Sequence, residues 1–240
     1  MSAASLKTWV KSRETPLSRF AYCAFSSLKT LRVPVIRPLH RTLYAIHLGA
    51  QWAVWESTRI LWYTPLFVSR LETAAPDLLL YGGMPQVIGP LRIRVGRGSR
   101  ISGKSTFIGR SGNASQPLLD IGDNVDVGWQ NTFSVGTRIE IGDNVRLAGK
   151  CTLAGFPGHP MDAADRAAGL PDTPDQIGDI VLERDVWLAT GVTVVAGVRI
   201  GAGTVVATGS VVTRNLPPGV LAAGVPARVV RTLQPADKAP

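Results

Sequence analysis

From Leu182 onward, large aliphatic residues recur at every sixth position: Leu182, Leu188, Val194, Ile200, Val206 and Val212. Four places after each stands a second small or apolar residue, Val186, Val192, Val198, Thr204, Ser210 and Leu216, with Gly, Asp or Ala in many of the places between. A helix repeats about every 3.6 residues and a strand about every 2, so neither explains a strict six. Six residues hold one short strand and one turn. Three such units close a triangular coil of about eighteen residues, and coils stack at the ~4.8 Å strand spacing, so that each face becomes a parallel sheet with its aliphatics piled inward.

An earlier run keeps the spacing: Ile121, Val127, Phe133 and Ile139, then a two-residue shift to Ile141, Leu147 and Leu153, with inner partners Val125, Val145 and Cys151. Val95, Ile101 and Phe107 read as looser first coils, followed by a loop over 112–117. The coils are therefore expected over roughly 85–216. Between the two runs, residues 154–179 abandon the period and are rich in Pro, Asp and Gly. A long irregular excursion from a regular solenoid is more often functional than idle, and this one holds His159.

The first third of the chain solves a different problem. Residues 1–75 carry ten Lys/Arg against three Glu, which is +7 of the formal +9, and four of the six Trp: Trp9, Trp52, Trp55 and Trp62. Residues 42–68 combine Tyr44, Trp52, Trp55 and Trp62 with Leu43, Ile46, Leu48, Ile60, Leu61, Leu66 and Phe67, with Arg59 inside the stretch and Arg41 and Arg70 flanking it. The pattern suggests helical segments broken at Pro65. The longest uncharged stretch, Thr42 to Trp55, has 14 residues, short of the ~20 that a spanning helix needs. Two readings stay open: the aromatics and arginines lie in the interface of an anionic membrane, or they cap the open end of the coils or pack against a neighbouring subunit. The aliphatic and Trp content disfavours a nucleic-acid arm, so no nucleic-acid partner is expected.

Two cysteines, Cys23 and Cys151, make no disulfide framework, and Cys151 falls on an inward position. The opening Met1–Lys11 segment has no apolar region ending in a small-residue cleavage site, so no secretory signal is read and a cytoplasmic setting is expected.

Several further segments carry a resemblance. They are Gly158-His159-Pro160-Met161-Asp162 with Arg166 and Gly169, Asp185-Val186-Trp187-Leu188, Gly209-Ser210-Val211-Val212-Thr213-Arg214, Pro217-Pro218, and Ala223-Gly224-Val225-Pro226-Ala227-Arg228-Val229-Val230-Arg231. In order and spacing these resemble the hexapeptide-repeat acyltransferases over about 121–233, nearest to the maltose and galactoside O-acetyltransferases and the colanic-acid-type acetyltransferases of polysaccharide pathways. The resemblance implies a mainly β fold, a left-handed parallel β-helix; spacing alone gives no handedness, and the usual crossover rule favours the right-handed sense. It divides the chain into a basic, Trp-rich helical extension (1–80), a β-helix domain (81–218) with an active-site loop (154–180), and a C-terminal segment (219–240) completing the CoA site.

What the resemblance further implies is a homotrimer with sites between neighbouring β-helices, acetyl-CoA or another acyl-CoA as donor, no metal, and a saccharide or lipid-linked glycan hydroxyl as acceptor. By position His159 matches the catalytic base. Thr190, Thr208, Thr213, Arg214, Arg228 and Arg231 match places that line the CoA site, the arginines suiting nucleotide phosphates. The bland alternative for Arg228 and Arg231 is surface charge. Relatives carry an Asn-x-Asn-like segment one coil before the histidine loop; here it reads Gly128-Trp129-Gln130-Asn131, which makes Asn131, with Asp162, the acceptor candidates. Asp162 and Asp165 are also candidates to orient His159, with solvated loop carboxylates as the alternative, and Trp187 reads as a packing residue.

The chemistry fits a lone histidine. A thioester is already activated, so an attacking hydroxyl needs a base for its proton and donors for the oxyanion, which backbone N–H groups of the coil turns can supply. Imidazole titrates near pH 6.5, about the working range. A carbonic anhydrase on the same solenoid needs three zinc-binding histidines, whereas His40 and His47 precede the coils. A non-catalytic scaffold and an amine or small-molecule acceptor are the remaining alternatives.

Overall fold

A computed structural model of the chain describes residues 3–30, 32–112 and 115–233. They fall into two compact units, Met1–Ala53 and Val54–Pro240. The end of the segment assigned above to 219–240 lies outside the described residues.

The second unit is built of three sheets, with eight, six and five strands, called here the first, second and third faces. Their strands are short, from two to six residues, and pair in parallel coil upon coil, the last pair of the first face excepted. This is the left-handed parallel β-helix expected from the resemblance. In the last regular coils Val181 lies beside Arg199, Trp187 beside Val205 and Thr193 beside Val211, each a step of eighteen residues. In the coil ahead of the irregular excursion the step is twenty, with Leu118 beside Arg138 and Thr132 beside Thr152. The two additional residues fall at the corner before Ile139, so that Ile139 and Ile141 both point inward, which is the phase shift seen in the pattern.

The inward aliphatics form three ladders. Ile101, Val127, Leu147, Leu188, Val206 and Ala222 stack on the first face, Phe107, Phe133, Leu153, Val194 and Val212 on the second, and Val95, Ile121, Ile141, Leu182 and Ile200 on the third. All are buried. Phe107 and Phe133 stack with ring centroids 5.2 Å apart and planes 5° from parallel, an arrangement that in-register coils impose on identical neighbours.

A coil must also bend three times. At the corner that leads into the first face, Asn124, Asn144 and Asp185 take a left-handed backbone, followed by Gly203 and Gly219. Asn and Asp tolerate that region better than other non-glycine residues because their side chains bond locally. Here Asn124 Nδ2 donates to Asn144 Oδ1 at 2.8 Å and Asn144 Nδ2 to Asp185 Oδ1 at 3.0 Å, tying successive coils together. Past the last coil, Val220–Gly224 turns back antiparallel to Ala227–Thr232.

The amino-terminal end of the stack is closed from outside the repeat. Helix α3 (Arg37–Thr58) runs through a π-helical turn (Arg59–Tyr63) into α4 (Thr64–Val68), and Phe67 on α4 is 1% exposed, packed 6.4 Å from Phe107. Tyr63, Val68 and Leu71 are partly buried against the same core. The helical trace is thus not broken at Pro65. Pro65 lies in the first turn of α4, where the missing N–H is tolerated, and the widened π turn precedes it. Glu72 then pairs with Arg92 and Arg94 on the third face, Arg92 foremost, which holds its carboxyl below the usual range.

In the first unit, α1 (Ala3–Ser12) and α2 (Pro16–Thr30) are joined by a turn in which Thr15 Oγ1 accepts from the Ser18 N–H at 3.1 Å and Ser18 Oγ accepts from the Thr15 N–H at 3.0 Å. Helix α3 buries no residue along its length. The helical, basic and aromatic extension is therefore observed, and its aromatics divide: Phe67 closes the β-helix, whereas Trp52 and Trp62 are exposed.

Replacing Phe67 with Ala should lower stability by about 3 kcal/mol, because the end of the core is left with a cavity. Replacing the exposed Leu61 should cost under about 0.5 kcal/mol. Denaturant midpoints of the two variants check this.

Candidate functional site

Two corners border the second face, and the candidate residues fall on both. At the corner between the first and second faces, the third residue of each turn is left-handed: Gln130, Lys150, Gly191 and Gly209, with φ from 58° to 73°. The N–H groups of the last three bond back to the preceding coil, Lys150 to Trp129 O, Gly191 to Gly149 O and Gly209 to Thr190 O, at 2.9, 3.0 and 2.9 Å. The second residue of each turn is thereby left on the rim. Thr190 and Thr208 stand exposed there, one coil apart.

The fourth residue of each turn points inward, and this corrects the reading of Asn131 as an acceptor contact. Asn131 is 1% exposed; its Nδ2 donates to Gly128 O at 2.9 Å and its Oδ1 accepts from the Cys151 N–H at 2.7 Å. Both ends of the amide are used within the corner. The reason lies in the repeat, since Asn131 is four places after Val127, the same inner position as Cys151, Val192 and Ser210. The exposed polar side chain of this turn is Gln130. Cys151 Sγ points to Ala189 O at 3.2 Å, and burial pushes its thiol pKa up.

The histidine loop leaves from the other corner, between the second and third faces. Thr152 pairs with Thr193, a step of 41 residues instead of 18, so 23 residues are expelled in one excursion. The loop is held by its own bonds. Asp162 caps α5 (Ala163–Ala167), its Oδ1 accepting from the Ala164 and Asp165 N–H groups at 2.8 and 3.0 Å. Arg166 donates to Pro160 O at 3.0 Å and to Met161 O. Asp172 receives Arg110 Nε at 2.6 Å, and its second oxygen accepts the Gly158 N–H at 3.1 Å.

That last contact matters for the imidazole. Arg110 and Asp172 side chains are 11% and 3% exposed, so the pair is buried, and it fixes the backbone one residue before His159. His159 itself is exposed, and among the described residues no hydrogen bond or ion pair reaches its ring. Asp162 is committed to its helix cap, and neither it nor Asp165 bonds to the imidazole. Sequence reasoning passed over Arg110 and Asp172, because an arginine at a strand end and an aspartate in a loop give no signal until 62 residues of chain are folded back.

Thr213 and Arg214 lie exposed at the same corner as the histidine loop, two coils farther on. Arg228 and Arg231 lie exposed on the antiparallel strand, paired with Ala223 and Leu221 at the end of the first face. Thr190 and Thr208 therefore stand at one margin of the second face, and Thr213 and Arg214 at the other, the margin from which the histidine loop leaves. Trp187 does not pack inward; it is 50% exposed on the outer side of the first face. Among the described residues, no group of three or more His, Cys, Asp or Glu side chains is placed to hold a metal ion.

No protein-family model matches the chain. Galactoside O-acetyltransferase of Escherichia coli K12 is 37% identical over 121 residues, which is 50% of this chain and 57% of that protein. A Mycobacterium tuberculosis protein named a probable acetyltransferase is 32% identical over 146 residues, 60% of this chain and 45% of that one. The chain thus spans about half the length of the curated relatives it matches. The motif resemblance to galactoside O-acetyltransferase is borne out by these relatives. Among solved structures, the N-acyltransferase AntD of Bacillus cereus, in complex with dTDP and 3-hydroxybutyryl-CoA, aligns over 71% of this chain and 88% of its own with a TM-score of 0.55; at 14% identity the likeness shows the fold.

Replacing Asp172 with Ala removes the carboxylate that both Arg110 Nε and the Gly158 N–H use, and should lower stability by roughly 3 kcal/mol. The Gly158 turn should also loosen. Denaturant unfolding and limited proteolysis within 155–179 measure the two effects.

Proposed function

We propose that this protein is a CoA-dependent acetyltransferase that moves an acetyl group, or another small acyl group, to a saccharide hydroxyl, with His159 as general base. The observation that carries the reading is an exposed imidazole on a loop whose backbone is pinned by a buried ion pair, on the β-helix of a chain that is 37% identical to galactoside O-acetyltransferase over half of the chain's length. A neutral imidazole takes the proton of the acceptor hydroxyl as its oxygen attacks the thioester carbonyl. The tetrahedral oxyanion is met by N–H donors, the C–S bond breaks, and the imidazolium returns the proton to the departing CoA thiolate.

In this reading the donor lies along the C-terminal coils, against Thr190, Thr208 and Thr213, with Arg214, Arg228 and Arg231 exposed to receive phosphate oxygens. Thr190 and Thr208 border one margin of the second face, and the histidine loop leaves from the other. That separation supports assembly of the site between neighbouring copies, in a homotrimer where the loop of one protomer meets the rim of the next. The acceptor would be an envelope or exopolysaccharide building block, free or lipid-linked.

A peripheral membrane contact on the cytoplasmic side belongs to the same proposal. On α2 and α3, Phe20, Phe25, Leu43, Ile46 and Trp52 are exposed beside the basic residues of 1–75, and no helix among the described residues is long and apolar enough to cross a membrane. Such a helix lies in the interface, with its charges against anionic headgroups.

Replacing His159 with Ala should cut turnover about a thousandfold and leave acetyl-CoA affinity unchanged by calorimetry; full activity overturns the assignment. Sedimentation with phosphatidylglycerol-containing vesicles, but not with pure phosphatidylcholine, is expected for the full chain. Trp52→Glu should weaken that association.

A further inference from the structure

The start of α3 carries a hollow that nothing assigned so far explains. It has a volume of about 330 Å³ and is lined by Val35, Arg37, His40, Arg41 and Tyr44, all within the first unit. We propose that it seats the phosphomonoester headgroup of an anionic lipid, with Arg37, Arg41 and His40 taking the three terminal phosphate oxygens. The proposal deepens the peripheral membrane contact inferred above and rests on it; it is independent of acetyl transfer.

The first observation is how the hollow is shaped. Irregular residues 32–36 lead into α3, and Pro34 and Pro38 restrict the backbone on both sides of the junction. Pro38 lies in the first turn of the helix, where its missing N–H is tolerated. His40 reaches back over that turn: its Nδ1 accepts the Ile36 N–H at 3.1 Å and lies 2.9 Å from Ile36 O. With Nδ1 accepting, the neutral ring carries its proton on Nε2, a donor left for a ligand.

The second is uncommitted charge. Arg59, Arg92 and Arg199 each pair with a glutamate. Among the described residues, no ion pair or side-chain hydrogen bond engages the guanidinium of Arg37 or Arg41, or the hydroxyl of Tyr44. Arg37 and Arg41 stand one helical turn apart and so face the same side. A phosphomonoester matches them. It carries nearly two negative charges at neutral pH and offers three strong acceptor oxygens, where a phosphodiester offers a single charge and two.

The third is what continues from the hollow. Arg37, Arg41, Tyr44, Leu48 and Trp52 follow one another at spacings of four, three, four and four, which is one face of a helix. Over about 22 Å this face passes from cations to aliphatic and aromatic side chains. Tyr44, Leu48 and Trp52 are exposed along it, and Val33, Val35, Ile36 and Leu39 are exposed around the cations. A free phosphate ion calls for the cations alone. An anionic head on a hydrocarbon tail calls for polar and apolar surface in this order.

Vesicle flotation of the full chain tests the site, with phosphatidic acid or phosphatidylglycerol diluted in phosphatidylcholine and the two vesicles matched in zeta potential. Wild-type protein should bind the phosphatidic acid vesicles about tenfold tighter, the order expected for one further charge-assisted contact. Inorganic phosphate should displace it no better than chloride of equal ionic strength. Arg37→Gln combined with Arg41→Gln should erase the preference. Lys7→Gln combined with Lys11→Gln removes the same charge from α1 and should weaken both associations alike, with the preference kept. Equal affinity for the two vesicles, a preference that survives the arginine changes, or one that disappears with the lysine changes overturns the headgroup site. Displacement by inorganic phosphate beyond the chloride effect assigns the hollow to free phosphate and overturns the lipid. Association with neither anionic vesicle overturns the membrane contact itself, whereas equal association with both leaves that contact standing without the site.

Discussion

Each coil of this molecule is bonded edge to edge to the coil before and after it, so every inward residue must sit on its counterpart one coil away. The constraint acts on position, not on identity. A ladder accepts Phe107, Phe133, Leu153, Val194 and Val212 in turn, but it does not accept a residue out of register. Additional chain is therefore expelled at corners. The two residues before Ile139 and the 23 of the histidine loop both leave where one sheet ends and the next begins.

An expelled loop loses the ladder that holds everything else, and has to be fixed by its own contacts. Asp162 caps a single-turn helix, Arg166 gathers two carbonyls, and the buried Arg110–Asp172 pair binds the loop to a strand end of the second face. An ion pair at this depth adds little net stability against well-packed apolar residues. What it contributes is location, since Asp172 grips the peptide N–H next to His159. The imidazole is left exposed on a stiffened loop.

Corners also decide what the surface offers. Within a turn of four residues, one is forced left-handed and one is forced inward, so the second is the residue free to face out. Trp129, Thr190 and Thr208 hold that rank, and the glycine among them is shaped by the indole lying on it. The helical extension shows a similar division of labour over a few residues. Phe67 plugs the open end of the core, while the tryptophans of the same stretch stay in solvent.

The sequence by itself determined the period, the ladders and the place of the excursion, because burial in a stacked coil repeats strictly and leaves its mark on residue type at every sixth position. It located His159 through motif spacing, and it held, unread, the inward orientation of Asn131, which follows from counting four places beyond Val127. Handedness came from likeness to known proteins, since a six-residue period is silent on the sense of winding. Only the tertiary structure decided the rest. The Arg110–Asp172 brace, the continuity of the helix through Pro65, the closure by Phe67 and the seating of Trp129 on Gly149 join residues from different turns or different elements, and no local pattern carries a contact made across the fold.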